Sequence, residues 1–421
     1  MKTDILPFPL HIINIYSPIL HRFLTLTLLF LWSLAGVAAQ GEGLVVPEGD
    51  ELEMSLLTCT PGKKIYELYG HTAVRVKDLR NGEDWVFNYG MFSFKQPNFV
   101  ARFVAGKTDY QLGVEPMEHF LAVYRRDGRG VDEQVLRLTA SEKERIFKTL
   151  LTESLPENAT YRYNFLYNNC TTRAIDLIDI AAGGQIEWPK AATDHKGRAK
   201  SLRDIIHEFS AASPWDRFGQ DLVLGNEIDA PATRRHQSFS PIYAENFLAA
   251  ARRRMPDGSV QPLAEPAKRL LPATAGVLQN APTAAAPGVA MALVLLFSIG
   301  LIAWERRTGK TALWWDGLLL TVQGLMGLVV SFLFFFSEHP AVGSNWLVAA
   351  LNPLPFALLF WDVRNARRRQ MDALCWYTII IWPFLGMAAL AKVQVFPHEL
   401  WLFGGALWLL AAHRTKRAAK I

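Results

Sequence analysis

The chain divides into zones by how its apolar residues are spaced. Residues 23–35 form one apolar stretch behind His21 and Arg22, followed by the small-residue site Val37-Ala38-Ala39. This predicts a secretory signal peptide over residues 1–39 with an unusually long leader, the alternative being an uncleaved anchor. Up to about residue 254 the apolar positions then come in short runs and helical spacings. Beyond 288 they come in long runs almost free of charge, at residues 289–304, 313–336, 346–360, 374–391 and 400–412. Roughly 20 apolar residues are needed to cross a hydrocarbon core about 30 Å thick. The second and fourth runs satisfy this directly, the first and third with their flanks, and the fifth by including Phe396 and Pro397. Five transmembrane helices are therefore predicted, at about 289–305, 313–336, 344–361, 372–391 and 396–413. A buried helical core would require charge-free helices without a polar face.

Within the exported part, Met54-Ser55-Leu56-Leu57, residues 72–76 and Trp85-Val86-Phe87 are short and strand-like, and Asn81-Gly82 is a hairpin-type turn signal. Residues 141–155 predict a helix with Ser141 as N-cap and Glu144 completing the capping box. Residues 171–181 predict another, with Ala174, Ile175 and Ile178 on one face. These elements define an α+β domain over residues 41–184. Residues 185–254 read as a mostly helical extension. Residues 255–287 are rich in Pro and Ala without periodicity and read as a linker. A basic cytoplasmic tail is expected at 414–421.

Charge sharpens the topology. Only 20% of residues are charged, against about 25% in an average soluble domain, while 50% are hydrophobic. This excludes a wholly soluble protein, a disordered chain and a nucleic-acid binder. The net charge of +5 has a location: Arg306, Arg307 and Lys310 follow the first run, Arg364 and Arg367-Arg368-Arg369 the third, and Arg414, Lys416, Arg417 and Lys420 the fifth. The intervening loops, 337–344 and 392–399, are nearly free of Lys and Arg. The positive-inside rule places the basic loops in the cytoplasm and exports everything before the first span.

Three cysteines exclude a disulfide-stapled scaffold and a cysteine-rich zinc site. His71, His195, His207 and His236 lack ligand-like spacing, so no metal and no cofactor are expected. Two segments carry candidate chemistry. Tyr69-Gly70-His71-Thr72-Ala73-Val74-Arg75-Val76 opens a β-branched run with a histidine, and Tyr167-Asn168-Asn169-Cys170-Thr171-Thr172-Arg173 puts a cysteine in the first turn of a helix. A thiol there feels the positive end of the helix dipole, and an imidazole taking its proton would make it a nucleophile. Asn88, on the strand-like segment one hairpin partner away from His71, is the first candidate to orient the imidazole. The alternatives are a small buried Cys170, a structural His71, or a disulfide between Cys59 and Cys170 in an oxidising compartment.

At these two segments the chain resembles the circularly permuted papain-like families, in which the histidine strand precedes the cysteine helix, such as lecithin:retinol acyltransferase and its relatives. More closely, it resembles the Lnb family of bacterial lipoprotein N-acyltransferases. The matching words are Leu57-Thr58-Cys59-Thr60-Pro61-Gly62, Tyr69-Gly70-His71-Thr72, Asn88-Tyr89-Gly90-Met91-Phe92-Ser93-Phe94, Pro97-Asn98-Phe99 and Asn168-Asn169-Cys170-Thr171-Thr172-Arg173. Trp215-Asp216-Arg217-Phe218-Gly219, Ser337-Glu338-His339-Pro340 and Leu351-Asn352-Pro353 continue the match. The resemblance implies a permuted papain-like exported domain followed by an all-α domain of five membrane helices, in the bacterial inner membrane with the catalytic domain in the periplasm. It implies an acyl chain moved from phospholipid, through a thioester on Cys170, to the α-amine of a diacylglyceryl lipoprotein.

His71 and Cys170 match the catalytic pair, and Asn88 stands where the permuted families place their third polar residue. Glu67 and Tyr89 are the alternatives for orienting the imidazole. Asn168 and Asn169 would supply oxyanion donors or cap the helix. Glu338, His339, Asn345 and Asn352, at the outer ends of the second and third spans, would hold a lipid headgroup or the acceptor amine, or simply terminate helices. A cell-wall peptidase or amidase, and a non-catalytic lipoprotein binder, are the rival functions.

Overall fold

Consecutive apolar residues, rather than strictly alternating ones, start the central sheet. A computed structural model describes residues 47–255, 257–274, 286–367 and 373–419. The predicted signal peptide lies outside the described residues. Strand β1 (Leu52–Cys59) is buried on both faces at nearly every position, which is why Met54-Ser55-Leu56-Leu57 lacks a strict alternation. It pairs with β2 (His71–Asp78), and the sheet continues through β3 (Asp84–Met91), β4 (Asp109–Pro116) and β6 (Thr160–Arg162). On its other side β1 pairs with β5 (Val131–Val135), and every pairing in this sheet is antiparallel.

Helices cover both faces of the sheet. The region carries α1 (Phe99–Val104), α2 (Met117–Arg126), α3 (Ala140–Ser154) and α4 (Cys170–Ala182). Met54, Leu56, Val74, Val76 and Phe87 pack against Ile146 and Leu150 of α3 and Ala174, Ile175 and Ile178 of α4. Leu57, Cys59, Ala73 and Val86 face the opposite way, onto Met117, Phe120 and Tyr124 of α2. The helical extension follows as α5 (Leu202–Ser210), α6 (Pro214–Val223), α7 (Arg234–Gln237) and α8 (Pro241–Ala250).

Two sequence expectations are corrected here. The N-cap of α3 is Thr139, not Ser141: Thr139 N–H donates to Glu142 at 2.8 Å, and Glu142 N–H returns the bond to the Thr139 hydroxyl. Both residue pairs have capping-box spacing, and tertiary contacts choose between them. Glu142 is buried against Arg253, whereas Glu144 accepts from the backbone N–H of Gly49. The segment read as a linker over 255–287 is partly folded. Strands β7 (Ile186–Glu187), β8 (Arg252–Arg254) and β9 (Val260–Pro262) make a small second sheet, and β10 (Lys268–Leu271) extends the large sheet beside β5. β10 pairs the edge of β5 that would otherwise leave backbone groups without partners, and Arg269 meets Asp132 across the pairing at 2.9 Å. Proline and alanine content hid these strands.

The C-terminal part is helical: α9 (Pro287–Thr308), α10 (Leu313–Phe336), α11 (Leu354–Arg367), α12 (Ala373–Leu390) and α13 (His398–Ala418). Among the described residues, four segments are long and apolar enough to cross a membrane, Pro287–Thr308, Leu313–Phe336, Trp346–Asn365 and Ala373–Leu390. Helix α13, at 21 residues, matches them in length. The third span is broken, contrary to the continuous helix expected over 344–361. A 3-10 turn at Trp346–Ala349 precedes α11, and Asn352 accepts from the N–H of Leu354 at 3.1 Å to begin the helix anew. Pro353 and Pro355 lack the N–H groups that a continuous helix would use there. The expected basic tail is also largely helix: Arg414 donates to Glu305 at 2.9 Å and to Asp316 at 2.6 Å, pinning the end of α13 to α9 and α10.

Candidate active site

His71 is the first residue of β2, and the residue before it permits this. Gly70 has φ of +89°, and a Cβ there would lie 2.4 Å from the carbonyl oxygen of Cys59. A side chain at this position would lift β2 off β1 where His71 opposes Cys59. Cys170 is the first residue of α4, ahead of the helix face that anchors in the sheet core. The fold thus brings together two segments 99 positions apart: the hydroxyls of Thr72 and Thr171, the residues that follow each, lie 3.0 Å apart.

The imidazole is oriented by a chain of hydrogen bonds. His71 Nε2 lies 3.0 Å from Asn88 Oδ1, and Asn88 Nδ2 donates to Glu115 at 2.9 Å. A carboxylate only accepts, so Glu115 turns the amide oxygen of Asn88 toward the ring. That oxygen in turn requires Nε2 to carry the proton, leaving Nδ1 for the thiol. Glu115 was not apparent in the sequence. It is a diagonal neighbour of Asn88 across the β3–β4 pairing, and only the register reveals it.

Burial pushes the Cys170 thiol up. The positive charge of His71, a hydrogen bond with it, the Thr72 backbone and the Thr171 hydroxyl outweigh burial and bring the thiol from 9.0 down to about 7. For His71, burial disfavours the charged ring, but the charge on Cys170 and hydrogen bonds to Cys170 and Asn88 raise it above its ordinary 6.5. The two groups therefore favour thiolate and imidazolium together. Cys59 behaves oppositely: burial pushes its thiol up to about 12, and both cysteines are free thiols. Alkylation of Cys170 by iodoacetamide in the full-length protein should rise with pH and reach half its maximum near pH 7. In His71→Ala the midpoint should move up, above 9, because burial remains and the cation is gone. A midpoint unchanged by that substitution would show that the imidazole does not tune the thiol.

The structure places the remaining candidates elsewhere. Asn169 caps α4: its Oδ1 accepts from the N–H groups of Thr171 at 3.0 Å and Thr172 at 2.9 Å, and its Nδ2 donates to the carbonyls of Phe165 and Phe239. With its amide fully engaged, it offers no donor to an oxyanion. Asn168 donates to the carbonyl of Arg162 at 2.7 Å. Tyr89 faces away from Asn88, donating to Glu153 at 2.5 Å beneath the Arg173 guanidinium. Glu67 closes its own turn on Lys64 at 3.0 Å. Neither reaches the imidazole.

The membrane-side candidates join domains or close helices. Glu338 pairs with Arg162 at 2.6 Å, and His339 Nε2 donates to the carbonyl of Phe103 at 2.8 Å. Asn345 is buried, capping the N–H of Leu347 and donating to the carbonyl of Leu222 at 2.8 Å. Asn352 donates to the Tyr377 hydroxyl at 2.6 Å.

Residues 48–206 match the model of the Lnb N-terminal periplasmic domain, and residues 279–417 match that of the Lnb transmembrane domain. No curated protein and no solved structure is significantly similar to the chain. The first match covers the large sheet except β10, with the histidine strand and the cysteine helix, and the second covers the five C-terminal helices. Carrying both in one polypeptide, the protein is an inner-membrane member of the Lnb family, a periplasmic α/β domain joined to a membrane-spanning helical domain.

Proposed function

We propose that the protein is a cysteine-dependent acyltransferase that moves a fatty acyl chain from phospholipid to the α-amine of diacylglyceryl lipoproteins. The observation that carries this reading is the meeting of Cys170, His71 and Asn88 at one end of a sheet whose domain is anchored to a membrane bundle. In the first half-reaction the Cys170 thiolate attacks the ester carbonyl. The tetrahedral intermediate collapses, the glycerol oxygen takes the proton from His71 Nδ1, and a lysophospholipid leaves. In the second, the lipoprotein amine attacks the thioester, its proton passes to His71, and the C–S bond breaks to restore the thiolate.

Asn88 keeps the ring in the required tautomer. Asn169 occupies the N–H groups of Thr171 and Thr172, so the N–H of Cys170 itself is the donor available to the oxyanion at the head of α4. A polytopic anchor suits this chemistry. Both substrates are lipids, and confining enzyme and substrates to one surface raises their effective concentration. The helix-on-sheet arrangement also supports the kinship with permuted papain-like enzymes, with the periplasmic domain carrying the catalytic groups and no cofactor required.

The test is mass spectrometry of the protein purified with membrane lipid and without lipoprotein acceptor. The peptide holding Cys170 is expected to carry a fatty-acyl mass that neutral hydroxylamine removes. A peptidyl adduct would transfer the site to the peptidase class. A thiol that phospholipid never acylates would overturn the thioester mechanism.

A further inference from the structure

An unbroken series of aromatic rings runs from the cysteine to the membrane bundle. Above Gly90, the Tyr163 ring and the Cys170 Cβ flank the same point at 3.5 Å and 3.8 Å. Tyr163 stacks on Tyr110 at 4.4 Å, and Tyr110 on Phe92 at 4.9 Å. Phe92 stacks on Phe99 at 5.6 Å, Phe99 on Phe103 at 6.3 Å, and Phe103 meets His339 at 5.6 Å. Core aromatics would be covered, but these lie under an open face. Phe94 is 61% exposed, Val100 69% and Phe103 45%, and α1 has no buried residue at all.

This face is held at the height of the membrane. The carbonyl of Val104 accepts from the Ser337 hydroxyl at 2.8 Å, and that of Ala105 from the Glu338 N–H at 3.0 Å, both just beyond the end of the membrane-spanning helix α10. Gly106 lets the backbones touch: its φ is +78°, and a Cβ there would lie 2.7 Å from the His339 nitrogen. Exposed aromatic and aliphatic side chains at the end of a spanning helix belong at the bilayer interface. The same stretch, residues 91–108, contains no acidic residue and three cations: Lys95, Arg102, which pairs with Asp109 at 2.6 Å, and Lys107, 3.9 Å from Glu338.

We infer that residues 91–108 form the acyl-chain path of a phosphate-bearing glycerolipid, leading from the bilayer to Cys170. Lys95 suits the phosphate of a phospholipid, and the stretch holds no carboxylate for the cationic amine of a lipoprotein acceptor, so the path belongs to the acyl donor. This rests on the acyltransferase reading for its purpose, but not for its detection.

The experiment uses full-length protein in nanodiscs containing a phospholipid with a diazirine in its acyl chain. Photolysis is expected to leave adducts within residues 91–108 as well as on α9–α13. The double variant Phe94→Asp/Val100→Asp should lower labelling of that segment about tenfold, since each charge opposes burial in the acyl region. Its Cys170 should still alkylate at the wild-type rate, which reports a folded site. Adducts confined to α9–α13, or labelling of the segment by a diazirine-bearing diacylglyceryl lipopeptide but not by the phospholipid, would overturn the inference. Acylation of Cys170 is read separately by mass. A labelled segment beside a never-acylated Cys170 would leave the lipid path standing and remove the acyltransferase reading, and an acylated Cys170 without segment labelling would do the reverse.

Discussion

Replacing Cys170 by Ala is expected to reduce acyl transfer to a lipopeptide amine by about 10⁴-fold or more, the scale seen when a nucleophile is removed from a catalytic unit. His71→Ala should approach the same floor, because without the imidazole the buried thiol stays protonated and the leaving oxygen has no acid. The two losses should not add. A double variant only as impaired as the worse single variant is the signature of residues acting together. Cys59→Ala is the control: its thiol is pushed to about 12 by burial against the α2 side of the sheet, and it should retain activity within about tenfold of wild type. The assay is acyl transfer in membranes with phospholipid as donor. Cys170→Ala retaining activity within about tenfold of wild type would return the protein to the non-catalytic readings.

The largest loss of stability is expected at Arg203. Its side chain is 2% exposed and donates to Asp221 at 2.7 Å, to Asp229, and to the carbonyls of Leu224 and Gly225. A buried ion pair adds little net stability when both partners are present, but removing one leaves an uncompensated charge at a cost of about 3–5 kcal/mol. Arg203→Met keeps the length of the side chain, takes the guanidinium from Asp229 and leaves Asp221 to His207. The damage reaches beyond α5. Asp229 also accepts from the N–H of Val395 at 2.8 Å, and Phe218 and Leu222 of α6 pack into the hydrophobic core of the membrane helices.

Arg203→Met should therefore lower the unfolding temperature of the full-length protein and speed proteolysis between the two domains. Asp221 adds a pH dependence of definite sign. Burial pushes it up, but His207 and Arg203 outweigh burial and hold it below its ordinary 3.8. Its share of stability is therefore complete above the ordinary carboxylate range and is lost as pH falls through the lowered value. The variant should lose part of this acid-sensitive share. An unfolding temperature unchanged at neutral pH would show that the network holds nothing together.

The site was only half legible before folding. Cys170 at a helix start and His71 at the head of a β-branched run could be picked out because each chemistry needs a local backbone environment that sequence displays. Asn88 could be guessed because a hairpin turn fixed its approximate partner. Glu115 could not, since it lies 27 residues beyond Asn88 and their relation is a diagonal across a strand pairing that contains a register shift. The asparagines beside Cys170 were open between two roles for a related reason. Asn168 and Asn169 have the right chemistry for an oxyanion, but Asn169 is bound at four backbone groups, one of them in Phe239, that no local reading could bring near. The polar residues at the outer ends of the spans could equally hold a ligand or end helices by sequence, and their partners in α1, α6 and β6 come from far along the chain.

What the sequence determined alone is whatever depends on local spacing and on solvent. Runs of apolar residues long enough for a bilayer, basic loops between them, a capped helix with Cys170 at its head, and the division into periplasmic and membrane parts all follow from transfer free energy and helix geometry acting on contiguous residues. Tertiary structure decided which of two capping boxes closed α3, that an apparent linker became β10, that the third span broke at Asn352, and that Glu115 sets the tautomer of His71. It also aligned the aromatic rings of five separate segments between Cys170 and the membrane. Each of these depends on which unpaired backbone group, charge or ring arrives from far along the chain, and that is fixed only when the hydrophobic cores close and set the register.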